Sequence, residues 1–308
     1  MADPPLPAWV RLNGKLEKRA KEFQDGPPDV PFEIYKLHGI GRLGITGGDW
    51  NFLRSLPNLR YAFFSNERFD DDVLSRLVGH PNLTNIHLTF TSVSDDGVRH
   101  LATMERLRVV SMACRPTGNQ PRLTDAGVAH LARVTQLQQL QLKYSVISDD
   151  GLARLTAACP SLTVLALDQC KGITDAGVDH LKSLPELNQL NLTGASLAAA
   201  AAAAQSLGSL SQLTSLTLVQ TEIGDETLKS LSGLPQLRHL DLQKTKITDD
   251  GLKHLSRLKL DSLMLGHELP QYWWARGDGC VEQGIWVMRR PVEDLPSSEP
   301  VVGHSSVL

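Results

Sequence analysis

Leu237-Arg238-His239-Leu240-Asp241-Leu242-Gln243-Lys244-Thr245-Lys246-Ile247-Thr248-Asp249-Asp250-Gly251-Leu252-Lys253-His254-Leu255 is the stretch that decides the fold. Leu240 and Leu242 stand two apart, the period of a strand, so they face one side while Asp241 between them faces the other. Thr248 before Asp249-Asp250-Gly251 has the form of a helix N-cap, whose oxygen can accept from an orphan amide, with acidic residues at the positive end of the helix dipole. Leu252 and Leu255, three apart, then continue at helical spacing. One segment therefore encodes a strand, a turn and a helix.

The same segment repeats along the chain. The apolar triplet L-x-x-L-x-L, with conservative replacements, begins at Phe32, Leu59, Leu83, Leu107, Leu137, Leu162, Leu187, Leu213, Leu237 and Leu260, in steps of 27, 24, 24, 30, 25, 25, 26, 24 and 23 residues. The cap signal follows in register at Thr46, Ser94, Thr124, Ser148, Thr174 and Thr248, with degenerate copies at Phe69-Asp70 and Ile223-Gly224. A single unit cannot bury its own apolar face, whereas stacked units bury a continuous core. Ten parallel strands at about 4.8 Å would make a sheet on the order of 45 Å long. With the bulkier helices outside, the expected architecture is an α/β solenoid, a curved right-handed horseshoe with a parallel sheet on its concave face and helices on its convex face.

Leu162-Thr163-Val164-Leu165-Ala166-Leu167-Asp168-Gln169-Cys170-Lys171-Gly172-Ile173-Thr174-Asp175-Ala176-Gly177-Val178 carries a resemblance. Over residues 30–266 the chain resembles the cysteine-containing subtype of leucine-rich repeats, found in substrate-binding subunits of F-box ubiquitin ligases and in bacterial cytoplasmic repeat proteins. The resemblance implies a horseshoe that binds another protein. At the place of Cys170 the other repeats carry Thr91, Ser145, Thr221 or Thr245, which suits a small side chain tied to loop backbone. About 29 residues precede the first repeat, too few for an F-box.

Residues 30–266 are read as nine repeats plus a terminal strand. Solenoids need caps at their ends. Trp9, Leu12, Leu16, Ala20 and Phe23 recur at helical spacing, so residues 1–29 are expected to hold a capping helix followed by a linker. After Leu265 the period stops, and Tyr272-Trp273-Trp274 with Gly284-Ile285-Trp286-Val287-Met288 suggests an aromatic cap over 267–289. Residues 290–308, poor in large apolar side chains, read as a disordered tail. Two repeats are irregular. One carries an insertion, Cys114 to Arg122, at the edge of the concave face; the other has alanines at 198–204 in place of its cap signal, a composition that still favours helix.

A net charge of −3 gives no footprint for nucleic acid or an anionic membrane. Neither a signal peptide nor about 18 consecutive apolar residues occurs, so a cytoplasmic protein with reduced thiols is expected. Cys114, Cys159, Cys170 and Cys280 form no framework of disulfide spacing, and the sequons at Asn82 and Asn191 fall within strands.

Several motifs suggest chemistry and are better explained by the repeat. Gly39-Ile40-Gly41-Arg42-Leu43-Gly44 has the G-x-G-x-x-G form, but the repeat places these glycines in its own turn and not at the start of a long helix. The pairs Asp95/Asp96, Asp149/Asp150 and Asp249/Asp250 occupy one slot in different repeats, where capping and the helix dipole account for them. His100, His130, His180 and His254 recur at one helical position, so neither a zinc site nor a catalytic cluster is expected. Arg276-Gly277-Asp278 reads as a turn. No cofactor and no catalytic residue are expected.

Binding is expected on the concave face, where side chains between the strand leucines must point. Tyr61, Phe63, His87, Phe90 and Tyr144 gather on its N-terminal half in a chain with only 5% aromatic residues, and interface energy concentrates in aromatic anchors. With Asn85, Gln141 and Lys143 beside them, and Arg115 and Arg122 on the inserted loop, these form the candidate protein-binding site. Tyr61 and Phe63 could instead pack on the N-terminal cap. The function expected is that of a monomeric protein-interaction module without enzymatic activity. Alternatives are a substrate-recognition adaptor for a ubiquitin-ligase-like enzyme supplied in trans, or a structural protein that assembles end to end.

Overall fold

A computed structural model of the chain describes residue 53 and residues 56–65, 67–117, 122–198 and 201–265, together with the backbone of 8–12, 15–19 and 32–38. The glycine-rich stretch at 39–44, the aromatic cap at 267–289, the tail at 290–308 and Cys280 lie outside the described residues.

Ten strands run parallel in one sheet: β3 (Phe32–His38), β4 (Tyr61–Phe64), β5 (Asn85–Thr89), β6 (Val109–Ala113), β7 (Gln139–Lys143), β8 (Val164–Asp168), β9 (Gln189–Asn191), β10 (Ser215–Thr217), β11 (His239–Asp241) and β12 (Ser262–Met264). Every neighbour in space is the neighbour in sequence. The triplet sets the register. Ala62, Ile86, Val110, Leu140, Leu165, Leu190, Leu216 and Leu240 are paired strand to strand. All eight are at most 2% exposed. Each such aliphatic side chain contributes roughly 1.5–3 kcal/mol by leaving water.

The return path of each repeat is a short helix: α1 (Asp71–Ser75), α2 (Asp95–Val98), α3 (Asp125–Leu131), α4 (Asp149–Ala158), α5 (Asp175–His180), α6 (Ala201–Gly208), α7 (Asp225–Leu231) and α8 (Asp249–Leu252). Val98, Val128, Leu152, Val178 and Leu228 point back toward the strands and are fully buried. One contiguous core thus lies between the sheet and the helices, leaving the other sheet face uncovered. The alanine-rich repeat keeps its helix, with Ala203 and Ala204 buried, and Ser206 donates to Asp179 of the preceding helix at 2.8 Å.

The N-terminal segment differs from the expected capping helix. It forms two strands, β1 (Ala8–Leu12) and β2 (Lys15–Arg19), paired antiparallel to each other, with β1 antiparallel to β3. Leu12 pairs with Lys15, leaving two residues for the reversal. In sequence those residues are Asn13-Gly14, a dipeptide that favours hairpins, and the antiparallel pairing of the flanking strands replaces the helix that the apolar spacing suggested.

Candidate functional site

The site is built by a turn that follows each strand. Phe90, Tyr144, Gln169, Gln220 and Lys244 all have φ between 54° and 58°, and Gly194 has φ 67°. They occupy one register position, and the backbone amides there donate sideways to the next repeat: Phe90 to Ala113, Tyr144 to Asp168, Gln169 to Thr193 and Gln220 to Gln243, at 2.6 to 2.9 Å. A left-handed residue in each turn releases the amide from its own strand and points it at the neighbouring one. The next residue is small and buried, as with Ser145, Cys170 and Thr221. Thr221 donates to the Leu218 carbonyl at 2.6 Å, and the Cys170 thiol lies 3.5 Å from that of Leu142.

A second ladder runs along the helix starts. Asp71, Asp95, Asp125, Asp149 and Asp225 each accept two hydrogen bonds from the Ser or Thr at the N-cap position of the following repeat's helix; Thr124, Ser148 and Thr174 also cap their own helices, whereas Ser94 and Thr248, contrary to expectation, make no side-chain bond to theirs. The amide donates to one carboxylate oxygen at 2.8–2.9 Å and the hydroxyl to the other at 2.5–2.6 Å. The glycine of the Asp-x-Gly signal makes this possible. A Cβ at Gly177 would lie 2.0 Å from an oxygen of Asp149, and one at Gly97 1.9 Å from Asp71. Asp95 and Asp149, the first aspartates of their pairs, are therefore ties between repeats, beyond the capping and dipole roles expected for them, whereas Asp249 makes no such tie and is exposed, as are Asp96, Asp150 and Asp250.

The uncovered face of the sheet is a trough of about 490 Å3 lined from Thr89 on β5 to Met264 on β12. One row across its floor is Ser111, Gln141, Ala166, Asn191, Thr217, Asp241 and Met264, with His87 in the same register beyond its N-terminal edge. Toward the C-terminal half the side chains are small and deep: Ala166 is 2% exposed and Asn191 1%. Asn191 accepts the Thr193 amide at 2.8 Å and donates to Asp168 at 3.3 Å.

The ten candidate residues fall in two groups. Phe90, Gln141, Lys143 and Tyr144 line the trough, whereas Tyr61, Phe63, Asn85, His87, Arg115 and Arg122 lie outside its lining. Tyr61 is 37% exposed, and the Phe63 and His87 rings are 5.7 Å apart. Tyr61, Phe63 and His87 are all engaged by further interactions within the chain. Asn85 accepts from its neighbour Thr84 at 2.7 Å. Arg115 sits 5.4 Å from the centre of the Phe90 ring and 3.7 Å from Glu67, and Arg122 donates through Nε to the Tyr144 carbonyl at 2.7 Å. Lys143 lies 5.4 Å from the Tyr144 ring centre, and Ser111 bonds Gln141 at 3.2 Å. The inserted loop is thus fastened at both ends to the rim residues Phe90 and Tyr144.

Reasoning from aromatic content overlooked the deeper half of the trough. Asp241 is pushed up to about 6 by burial, partly offset by the Gln243 amide it accepts at 3.1 Å. Burial also raises Asp168, with Lys143 pulling the other way. The signal present in the sequence was the run of small inward residues, Ala166, Asn191, Thr217, which makes the sheet deep where large side chains would have filled it. Among the described residues no three of His, Cys, Asp and Glu come together as a metal site, and no helix is long and apolar enough to cross a membrane.

Two stretches, residues 158–182 and 234–256, match the family described as Leucine Rich repeat. The "Antagonist of mitotic exit network protein 1" of Eremothecium gossypii is 36% identical over 152 residues, which is 48% of this chain and 36% of that protein. The chain thus spans about a third of that relative's length. Among solved structures, an internalin (inlF) of Listeria monocytogenes str. 4b F2365 superposes with a TM-score of 0.54 at 24% identity, covering 75% of this chain and 60% of the internalin. The internalin C2 (inlC2) of the same strain gives 0.50 at 22% identity, with 72% and 84% covered. These two likenesses concern the fold. Two stretches thus match leucine-rich repeats, the fold is a solenoid with a parallel sheet, and repeats of that kind generally mediate protein–protein interaction.

Proposed function

We propose that the chain is a protein-interaction module without catalytic activity of its own, and that it holds an extended segment of a partner protein along the trough. The observation that carries this reading is the trough itself. It crosses eight strands, and its rim is held by the turn ladder at Phe90, Tyr144, Gln169 and Gln220, so it is formed before any partner arrives. A preformed surface lowers the ordering cost of binding. Phe90 and Tyr144 on the rim supply aromatic anchors, and Gln141 on the floor supplies hydrogen-bonding groups that suit a peptide backbone.

The reading is tested by scanning both faces of the solenoid. A partner recovered by affinity capture and identified by mass spectrometry is measured against a trough variant, Phe90→Ala with Tyr144→Ala and Ser111→Arg, and against a convex-face variant, Asp150→Lys with Arg154→Glu. Loss of about a hundredfold in affinity for the first, with the second unchanged, is the expected result. Retention by the trough variant and loss by the convex one would refute it. The name of the Eremothecium protein, an antagonist, fits a module that acts by occupying another protein.

A further inference from the structure

We infer that the C-terminal end of the trough, at Asp241 and Gln243, is a subsite for a basic side chain, the lysine ammonium or arginine guanidinium of the partner's extended segment. The inference rests on the concave-face reading above and adds the chemistry of one position within it.

Asp241 stands on the trough floor in register with Thr217 and Met264. Its Oδ1 accepts the amide of Gln243, and no ion pair among the described residues includes it. Among the described residues the nearest Lys or Arg along the floor is Lys143, four strands away, on the order of 19 Å at about 4.8 Å per strand, and it is the register neighbour of Asp168, while the imidazole of His239, two residues before Asp241, also lines the trough. Asp168 therefore has a cation and a side-chain amide of its own, whereas Asp241 has only the backbone amide of Gln243.

Gln243 is the independent observation. It alternates with Asp241 on the same face of the chain, is 1% exposed, and its Oε1 has no hydrogen-bond partner. Its Nε2 leans on the sulfur of Met264, a residue of the trough lining, at 3.6 Å. A buried carbonyl oxygen without a donor is costly, and such groups are normally satisfied. Beyond the Gln243 amide Asp241 accepts no further hydrogen bond among the described residues, and Gln243, two residues on, keeps an unpaired Oε1. Lysine and arginine side chains carry several donors and no acceptor. An acidic side chain would bring a further acceptor and a like charge, and a neutral one would leave the Asp241 charge unpaired. The small residues Asn191, Ser215 and Thr217 leave room for a long aliphatic stem to reach Asp241 and Gln243.

The equivalent residue one repeat-pair earlier provides the variant. Asn191 accepts the Thr193 amide through its Oδ1 as Asp241 accepts that of Gln243, so Asp241→Asn keeps the backbone bond and removes only the charge. Fluorescein-labelled nonapeptides of Gly, Ser, Thr and Val, with a single Lys, Arg, Gln or Glu at each position in turn, are titrated by fluorescence polarisation against the full-length chain, Asp241→Asn, Gln243→Leu and Asp150→Asn. The last makes the same change of net charge on an exposed helix residue. The expected result is a preference of about tenfold or more for Lys or Arg over Gln at one position, abolished in Asp241→Asn, weakened in Gln243→Leu and retained in Asp150→Asn.

Equal binding of Lys and Gln peptides, no binding of any peptide, or an equal effect of Asp150→Asn would each overturn the subsite. The concave-face reading would still stand or fall by the scan of the two faces. Self-association seen by light scattering and lost in Asp241→Asn would also overturn it, since the occupant would then be a second copy of the chain.

Discussion

The Asp149 carboxylate holds Thr174, 25 residues further on, by both of its oxygens, taking the backbone amide at 2.8 Å and the hydroxyl at 2.5 Å. Gly177 passes so close that any side chain there would collide with the same carboxylate. Asp149→Ala is expected to destabilise the protein by about 2–3 kcal/mol, because two donors lose a charged acceptor. Gly177→Ala should cost a similar amount by displacing Asp149. The double variant should cost clearly less than the sum, since the added methyl then has no carboxylate to displace. Urea denaturation of the four proteins measures the coupling, and strict additivity would show that the tie carries no energy.

The ladder is incomplete at the alanine-rich repeat. Asp175 accepts only the amide of Ala198, at 3.0 Å, and burial leaves its carboxyl raised, whereas Asp225, which accepts both bonds from Thr248, is lowered chiefly by that hydroxyl. Ala198→Thr restores the missing donor. It should add about 1 kcal/mol to stability, read as a rise in urea midpoint, and a Ala198→Val control of similar shape should not.

Asp241 gives stability a dependence on pH. Burial favours its neutral form, so the folded chain holds this proton up to about 6, while the unfolded chain releases it near 3.8. Stability contributed in this way is fully present below about pH 4 and is lost as pH rises to about 6. The shift of roughly two units corresponds to about 3 kcal/mol, reduced by residual solvent contact to about 1–2 kcal/mol. Asp241→Asn should therefore be more stable than the parent by that amount at pH 7.5 and nearly equal to it at pH 4. Equal gains at both values would remove burial as the cause.

Three thiols report on the core. Cys114, Cys159 and Cys170 are buried and unpaired, and burial pushes Cys159 up to about 11 and Cys170 up to about 12. Since the thiolate is the reacting form, all three should resist iodoacetamide at pH 8 in the folded protein and react fully in urea, as read by peptide mass spectrometry. Labelling of Cys170 without denaturant would mean that the turn after β8 opens.

The repeat was legible because its unit is local: Leu162, Leu165 and Leu167 carry the strand period within six residues, and the caps Thr124, Ser148 and Thr174 each act on their own helix as expected. What sequence reasoning missed lies between units. The partner of Asp149 is 25 residues away, and nothing adjacent to it signals that its oxygens leave their own helix. At the N-terminus the apolar spacing of Trp9, Leu12 and Leu16 suited a helix, while Asn13-Gly14 favoured a reversal, and the flanking strands pair antiparallel. The candidate site was chosen by aromatic side chains, which mark the rim at Phe90 and Tyr144. The depth of the trough depends on residues too small to draw notice, such as Ala166 and Thr217.

The direction of the aspartate ladder bears on synthesis. Each carboxylate reaches forward, toward a cap that is translated 23 to 29 residues later. A repeat emerging from the ribosome therefore carries an unsatisfied acid until its successor has been made and folded, so the growing end is always the least settled part of the chain.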